Sequence, residues 1–123
     1  MRFLMLYKPA DNAASEAGVP PTQDEIARMG TFIGEMVQEG VLLTTEGCQP
    51  SSKGARVRSA GERFAVTDGP FTETKELIAG FAIVRVNSKD EAVAAAKRFL
   101  KVAGDGECEI HQLHEMPALP PQN

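Results

Sequence analysis

LIAGFAIVRV, Leu77 to Val86, alternates so that Leu77, Ala79, Phe81 and Ile83 fall on one side of an extended chain and Ile78, Ala82, Val84 and Val86 on the other. The stretch predicts a strand that is apolar on both faces, and each face demands a cover. The segment from Arg2 to Lys8 repeats the pattern, with Phe3, Met5 and Tyr7 opposed to Leu4 and Leu6. Two such strands argue for a sheet buried by helices on one side and by a different partner on the other.

Working outward, two helical patterns supply the first cover. Thr22 with Glu25 three residues on forms a capping box, Ile26, Met29, Ile33, Met36 and Val37 recur at helical spacing, and Gly40 ends the helix. Ser88 with Glu91 opens a second helix carrying Ala92, Val93, Ala96, Phe99 and Leu100 on one side, ended by Gly104 to Gly106. Val41 to Glu46 predicts a short strand, Arg56 to Ser59 and Arg63 to Thr67 a tight hairpin around Ala60 and Gly61, and Glu107 to His114 a last strand. Asp11 to Pro21 reads as an exposed loop, and the Pro-rich tail, residues 117–123, as a flexible end outside any ladder. The order strand, helix, strand, hairpin, strand, helix, strand predicts an α+β fold, a ferredoxin-like split β-α-β with an inserted β-hairpin. Helices of such a fold cover one sheet face, so the second apolar face predicts a homodimer whose sheets pack into a dimeric α-β barrel.

Composition narrows the function classes. The 123 residues, 42% apolar and 24% charged, suit one globular domain that folds without metal or disulfide staples, so no cofactor and no metal are expected. Seventeen acidic and 13 basic residues are spread along the chain for a net charge of -4, and no basic face offers itself to nucleic acid. With 6% aromatics and no Trp, base-stacking platforms are also scarce. Phe3 to Tyr7 is too short for a signal-peptide core, and no apolar run approaches the ~20 residues of a membrane span, so a cytoplasmic protein is expected. Cys48 and Cys108 lack CxxC spacing and read as free thiols.

Asp68 is the candidate acid or base. It sits at a strand end, where an apolar cavity would desolvate its carboxyl; the competing reading makes Asp68-Gly69-Pro70 a turn and Phe71 a plug beneath it. Arg56 and Arg58 share one face of the hairpin and suit a carboxylate ligand or pairing with Asp68, against protection of a sheet edge as the competing account. With Glu73 and Phe71 they form the candidate ligand-binding set, Glu73 also reading as part of a solvated loop. His111 and His114, three apart on a strand, point to opposite faces and do not share a metal. Ser51, Ser52, Lys53 and Gly54 lack P-loop spacing, there is no GxSxG, and Cys48 has no histidine near it in sequence.

TDGPFTETKELIAGF at 67–81, PSSKGARVR at 50–58 and GVLLTTEG at 40–47 together resemble the DGPF-domain branch of the YCII-related family, across a single domain of residues 1–116. The resemblance implies a dimeric α-β barrel of ferredoxin-like subunits. It further implies a homodimer with a small-molecule pocket near the DGPF turn, and chemistry of the lyase or isomerase type on cyclic or halogenated aromatic breakdown products. The alternative it carries is a non-catalytic ligand-binding or regulatory protein linked to an extracytoplasmic-function sigma factor. Of the family's His and Asp pair, the Asp falls on Asp68; the histidine, expected in the first helix, has no counterpart between Thr22 and Gly40.

Overall fold

The computed structural model describes residues 1–72 and 76–115. Strands β1 (Arg2–Pro9), β2 (Leu42–Gly47), β5 (Gly80–Arg85) and β6 (Gly106–Gln112) form an antiparallel sheet in the order β2-β5-β1-β6. Strands β3 (Ala55–Ala60) and β4 (Arg63–Asp68) form a separate two-stranded sheet. With the hairpin set aside, β5 lies between β1 and β2, which is the strand order of a split β-α-β fold.

Helices α2 (Gln23–Gln38) and α3 (Lys89–Ala103) pack on one face of the large sheet. There Phe3 and Met5 of β1 and Val84 of β5 meet Met36 of α2 and Ala92, Ala95 and Ala96 of α3. The small alanine side chains bring α3 close to the strands, and Phe3 retains only 2% of its exposure. Tyr7 closes the margin of this core by meeting Phe99 edge-on, with ring centroids 5.0 Å apart. Both helices start at the expected boxes: Thr22 accepts from the Glu25 amide and Ser88 from the Glu91 amide, each at 3.1 Å. Arg98 ties the helices together, 3.0 Å from the Glu39 carboxylate and over the Phe32 ring.

Several elements depart from the sequence expectations. The α2 stripe is narrower than its spacing implies: Ile26 is 57% and Val37 55% exposed, while Phe32 packs on the core. Val37 lies about 100° round the helix from Met36 and so turns away from the sheet. Val93 is exposed for the same reason, and Ala95 takes its place in the core. The segment expected as a loop from Asp11 contains a single helical turn, α1 (Ala13–Glu16), started by the Asp11 carboxylate accepting from the Ala13 amide. Four residues are too few to show a period.

The long strand expected from Leu77 begins at Gly80. Ala79 still takes part in ladder-like bonding, donating to Tyr7 O and accepting from Cys48 N, both at 2.8 Å. Ahead of it Leu77 is buried outside the main core cluster, and Ile78 is exposed. Strand β6 stops at Gln112, so His114 falls beyond it. The Pro-rich tail, residues 117–123, lies outside the described residues.

The sheet face opposite the helices carries Leu4 beside Ile83 and Leu6 beside Phe81, all half-buried. Its apolar character follows directly from the two-sided alternation of β1 and β5.

Candidate functional site

The turn that links the hairpin to the large sheet is shaped by close backbone approach. A Cβ on Gly69 would lie 1.7 Å from the carbonyl oxygen of Ser51, so no other residue fits there without moving the chain. The Gly69 amide donates to Gly54 O at 3.1 Å, and the peptide between Gly69 and Pro70 is cis. The turn is thereby seated on the 3-10 segment Ser51–Lys53.

Ser51 joins three separate parts of the chain at this point. Its hydroxyl donates to Glu16 Oε1, its amide donates to Glu16 Oε2 at 2.7 Å, and its Oγ accepts from the Phe71 amide at 3.1 Å. The hydroxyl and amide bonds hold the Glu16 carboxyl below its usual range, outweighing the opposing pull of desolvation. Glu16 is therefore a carboxylate at neutral pH with its lone pairs directed at Ser51, an anchor rather than a proton donor.

Beside this node opens a cleft of about 550 Å³. Among the described residues its apolar wall includes Phe71, Leu77 and Ile78, and its polar wall includes Glu16, Cys48, Ser51, Lys53, Arg56 and Glu76. The Arg56 guanidinium lies 4.1 Å from the Phe71 ring centroid and 3.8 Å from the Glu76 carboxylate. The cation–π contact holds the guanidinium over an aromatic surface, while the long, exposed ion pair adds little.

Of the residues the sequence singled out, Arg56 and Phe71 line this cleft together. Arg58 follows Arg56 on the same hairpin face but is exposed and outside the lining. Asp68 ends β4 opposite Ala55; it is exposed and outside the lining, so the desolvated setting expected for its carboxyl is absent. An Asp68 partnership with the arginines is likewise replaced, for Arg56, by Phe71 and Glu76. Glu73 lies outside the described residues.

Sequence reasoning missed Glu16, because a carboxylate in an apparent loop gives no sign of its contact 35 residues away. It dismissed the Ser51 loop as a phosphate site without registering the other signal there: a serine between a proline and a glycine can hold a turn through its hydroxyl.

Elsewhere, His111 accompanies Glu109 at 3.6 Å, with Lys8 at 3.2 Å from the same carboxylate. These residues lie on β6 and β1, and β6 is the sheet edge opposite β2, about 14 Å across three strand spacings from the strand that leads into the cleft. Cys48 and Cys108 are both free thiols, burial pushing the Cys108 thiol up. Among the described residues no group of three or more His, Cys, Asp or Glu is arranged to hold a metal ion. No helix of the described residues is long and apolar enough to cross a membrane.

One solved structure similar to this chain is a 5-chloro-2-hydroxyhydroquinone dehydrochlorinase from Burkholderia phenoliruptrix AC1100 in complex with 2,5-dihydroxybenzoquinone. The match has 14% sequence identity and a TM-score of 0.48, covering 94% of this chain and 96% of that one. No curated protein matches the chain. The model of the YCII-related domain matches residues 1–116, and the chain belongs to the YCII-related family.

Proposed function

We propose that this YCII-related protein is a homodimer that binds a small organic molecule in the cleft beside the DGPF turn. Phe71 serves as the apolar platform and Arg56 as the polar anchor, and Arg58 and Glu73 complete the proposed set of ligand-binding residues. The observation that carries the reading is the Arg56 and Phe71 stack on the wall of a cleft of about 550 Å³. That volume falls within the roughly 300–1,000 Å³ of small-molecule sites, and the cleft sets an apolar wall of Phe71, Leu77 and Ile78 against a polar one. A ligand with a planar apolar body and an acidic group fits both features: the body lies along Phe71, Leu77 and Ile78, and the acidic group reaches Arg56 and Lys53.

Binding without chemistry is the reading favoured by the carboxylates. Glu16 is engaged by Ser51 and Glu76 by Arg56, and Asp68 lies outside the lining. In this form the protein senses a metabolite, and a sigma factor of the extracytoplasmic-function type is its proposed regulatory partner. Lyase or isomerase chemistry is the second reading, and it rests on Asp68 leading into the turn that presents Phe71. The free thiols suit a cytoplasmic setting. The homodimer is supported by the half-buried apolar sheet face of Leu4, Leu6, Phe81 and Ile83.

A thermal-shift panel of small cyclic and aromatic acids tests the binding reading. A ligand that raises Tm for the parent chain and not for Arg56→Met is expected. A panel on which both respond alike removes Arg56 as the anchor. Turnover of any hit that Asp68→Asn abolishes would move the assignment to catalysis.

A further inference from the structure

Phe71 owes its place on the cleft wall to the chain segment beneath it. From Gly69 to Phe71 only the first and last residues have a backbone N–H, because Pro70 has none. The Gly69 amide donates to Gly54 O and the Phe71 amide to Ser51 Oγ, both at 3.1 Å, so the segment from Ser51 to Gly54 holds the turn on either side of Pro70. The Phe71 ring leaves the backbone at the second of these bonds and lies under the Arg56 guanidinium. Glu16, at the end of α1, fixes the direction of that bond. A hydroxyl has one proton and a carboxylate only accepts, so the Ser51 proton is committed to Glu16 Oε1 and an oxygen lone pair is left for the Phe71 amide. Donating to an anion also makes the hydroxyl a better acceptor. The Ser51 amide, on Glu16 Oε2 at 2.7 Å, keeps the carboxylate in register.

We propose that Glu16 and Ser51 are positioning residues of the cleft, holding the Phe71 ring against Arg56 so that a planar acid meets aromatic surface and cation in one fixed geometry. The proposal rests on the ligand reading given above and adds two residues that act through Phe71. It brings α1, far from the DGPF turn in sequence, into the control of the site. The physical effect is preorganisation: a platform already in place costs the ligand no ordering when it binds. With alanine at position 51 the Phe71 amide loses its acceptor, and a turn whose amide bonds to water is free to swing the ring away from Arg56.

The test uses the purified full chain. It contains no Trp, so Phe71→Trp places a single indole emitter on the platform, and Trp is the ring that best holds a guanidinium. In this background and without ligand, Ser51→Ala is expected to shift the emission to longer wavelength and raise acrylamide quenching. Ser51→Thr, which keeps the hydroxyl, restores both, and Glu16→Gln gives a smaller change in the direction of Ser51→Ala. In the chain with Phe71, calorimetric titration with benzoate and 2-naphthoate reads affinity. Ser51→Ala is expected to raise Kd about tenfold, a change of the size carried by one hydrogen bond to a polarised group. Val84→Ala, which loosens the core outside the cleft lining, leaves Kd within about twofold. An affinity unmoved by Ser51→Ala overturns the positioning role while the ligand reading stands. A weakened affinity with unmoved emission makes Ser51 a direct ligand contact and overturns it too. Equal effects of Ser51→Ala and Ser51→Thr, or an equal rise in Kd for Val84→Ala, assign the change to general loosening and likewise overturn it. A parent chain that binds neither acid overturns the ligand reading and this proposal with it.

Discussion

The large sheet and the β3–β4 hairpin are written in the same alternating code and end in opposite surroundings. Phe3 in β1 is 2% exposed and Phe64 in β4 is 74% exposed, although each is flanked by residues that place it on the apolar side of its strand. The difference arises from cover. Phe3 lies beneath Met36 and the α3 alanines, which reach it because the helices return across the sheet. Among the described residues no α-helix follows β3 or β4 before the next strand, so the apolar side of the hairpin receives no helix of the kind that covers Phe3. Alternation defines a face, and only the path of the rest of the chain decides whether that face is buried.

Substitutions at the two phenylalanines break this comparison most sharply. Phe3→Ala is expected to cost about 4 kcal/mol in urea unfolding, through lost burial and the cavity left under α3. Phe64→Ala is expected to cost less than about 0.5 kcal/mol from intrachain packing. Any larger loss that grows on dilution belongs to a second copy, and equal losses at the two positions would contradict the burial described here.

The next largest effect separates two glycines of the hairpin region. Gly69→Ala drives a Cβ into the Ser51 carbonyl and is expected to destabilise by about 3 kcal/mol, with loss of the cleft as read by ligand binding. Gly61 sits in the turn between β3 and β4 at φ 63 with open space around it, so Gly61→Ala is expected to cost only about 1 kcal/mol, the strain of a positive φ. Equal effects would mean that the turn at Gly69 relaxes freely.

The smallest effect is a pH dependence at the node joining the hairpin to α1. The Glu16 carboxyl is held below its ordinary 4.5 by Ser51, so its contribution to stability is fully present above that value and is lost as pH falls through the lower folded value. Ser51→Ala removes both the hydroxyl donor to Glu16 and the acceptor for the Phe71 amide, and is expected to flatten this acid-limb dependence in unfolding measured from pH 6 down to about pH 3. Glu16→Gln should flatten it further, because Ser51→Ala leaves the backbone amide bond to the carboxylate in place; a Glu16 contribution that neither substitution reduces would place the slope's origin elsewhere.

Most of the fold could be read in the residues that carry local signals. Thr22 with Glu25 and Ser88 with Glu91 mark their helix starts because a cap is a contact three residues long. The hairpin was legible near Gly61, whose positive φ suits a tight turn, although the turn is one residue later than expected: Ala60 pairs with Arg63, leaving Gly61 and Glu62 between the strands. The two-sided apolar pattern of β1 and β5 likewise foretold a sheet with one face beyond the reach of its helices. The site was less legible. Arg56 and Phe71 lie together on the wall of a cleft, whereas Asp68, from the same motif as Phe71, lies exposed outside its lining. Adjacent residues in a turn point in different directions, and a motif does not say which of them faces inward.

The capping boxes, the strand alternation and the hairpin turn were properties of the chain alone, since each depends on contacts within a few residues. The Glu16 to Ser51 to Phe71 node, the clash that reserves position 69 for glycine and the contrast between Phe3 and Phe64 were decided by tertiary structure. Each of those depends on segments that meet only after the strands have paired, and neither spacing nor composition records where such meetings occur.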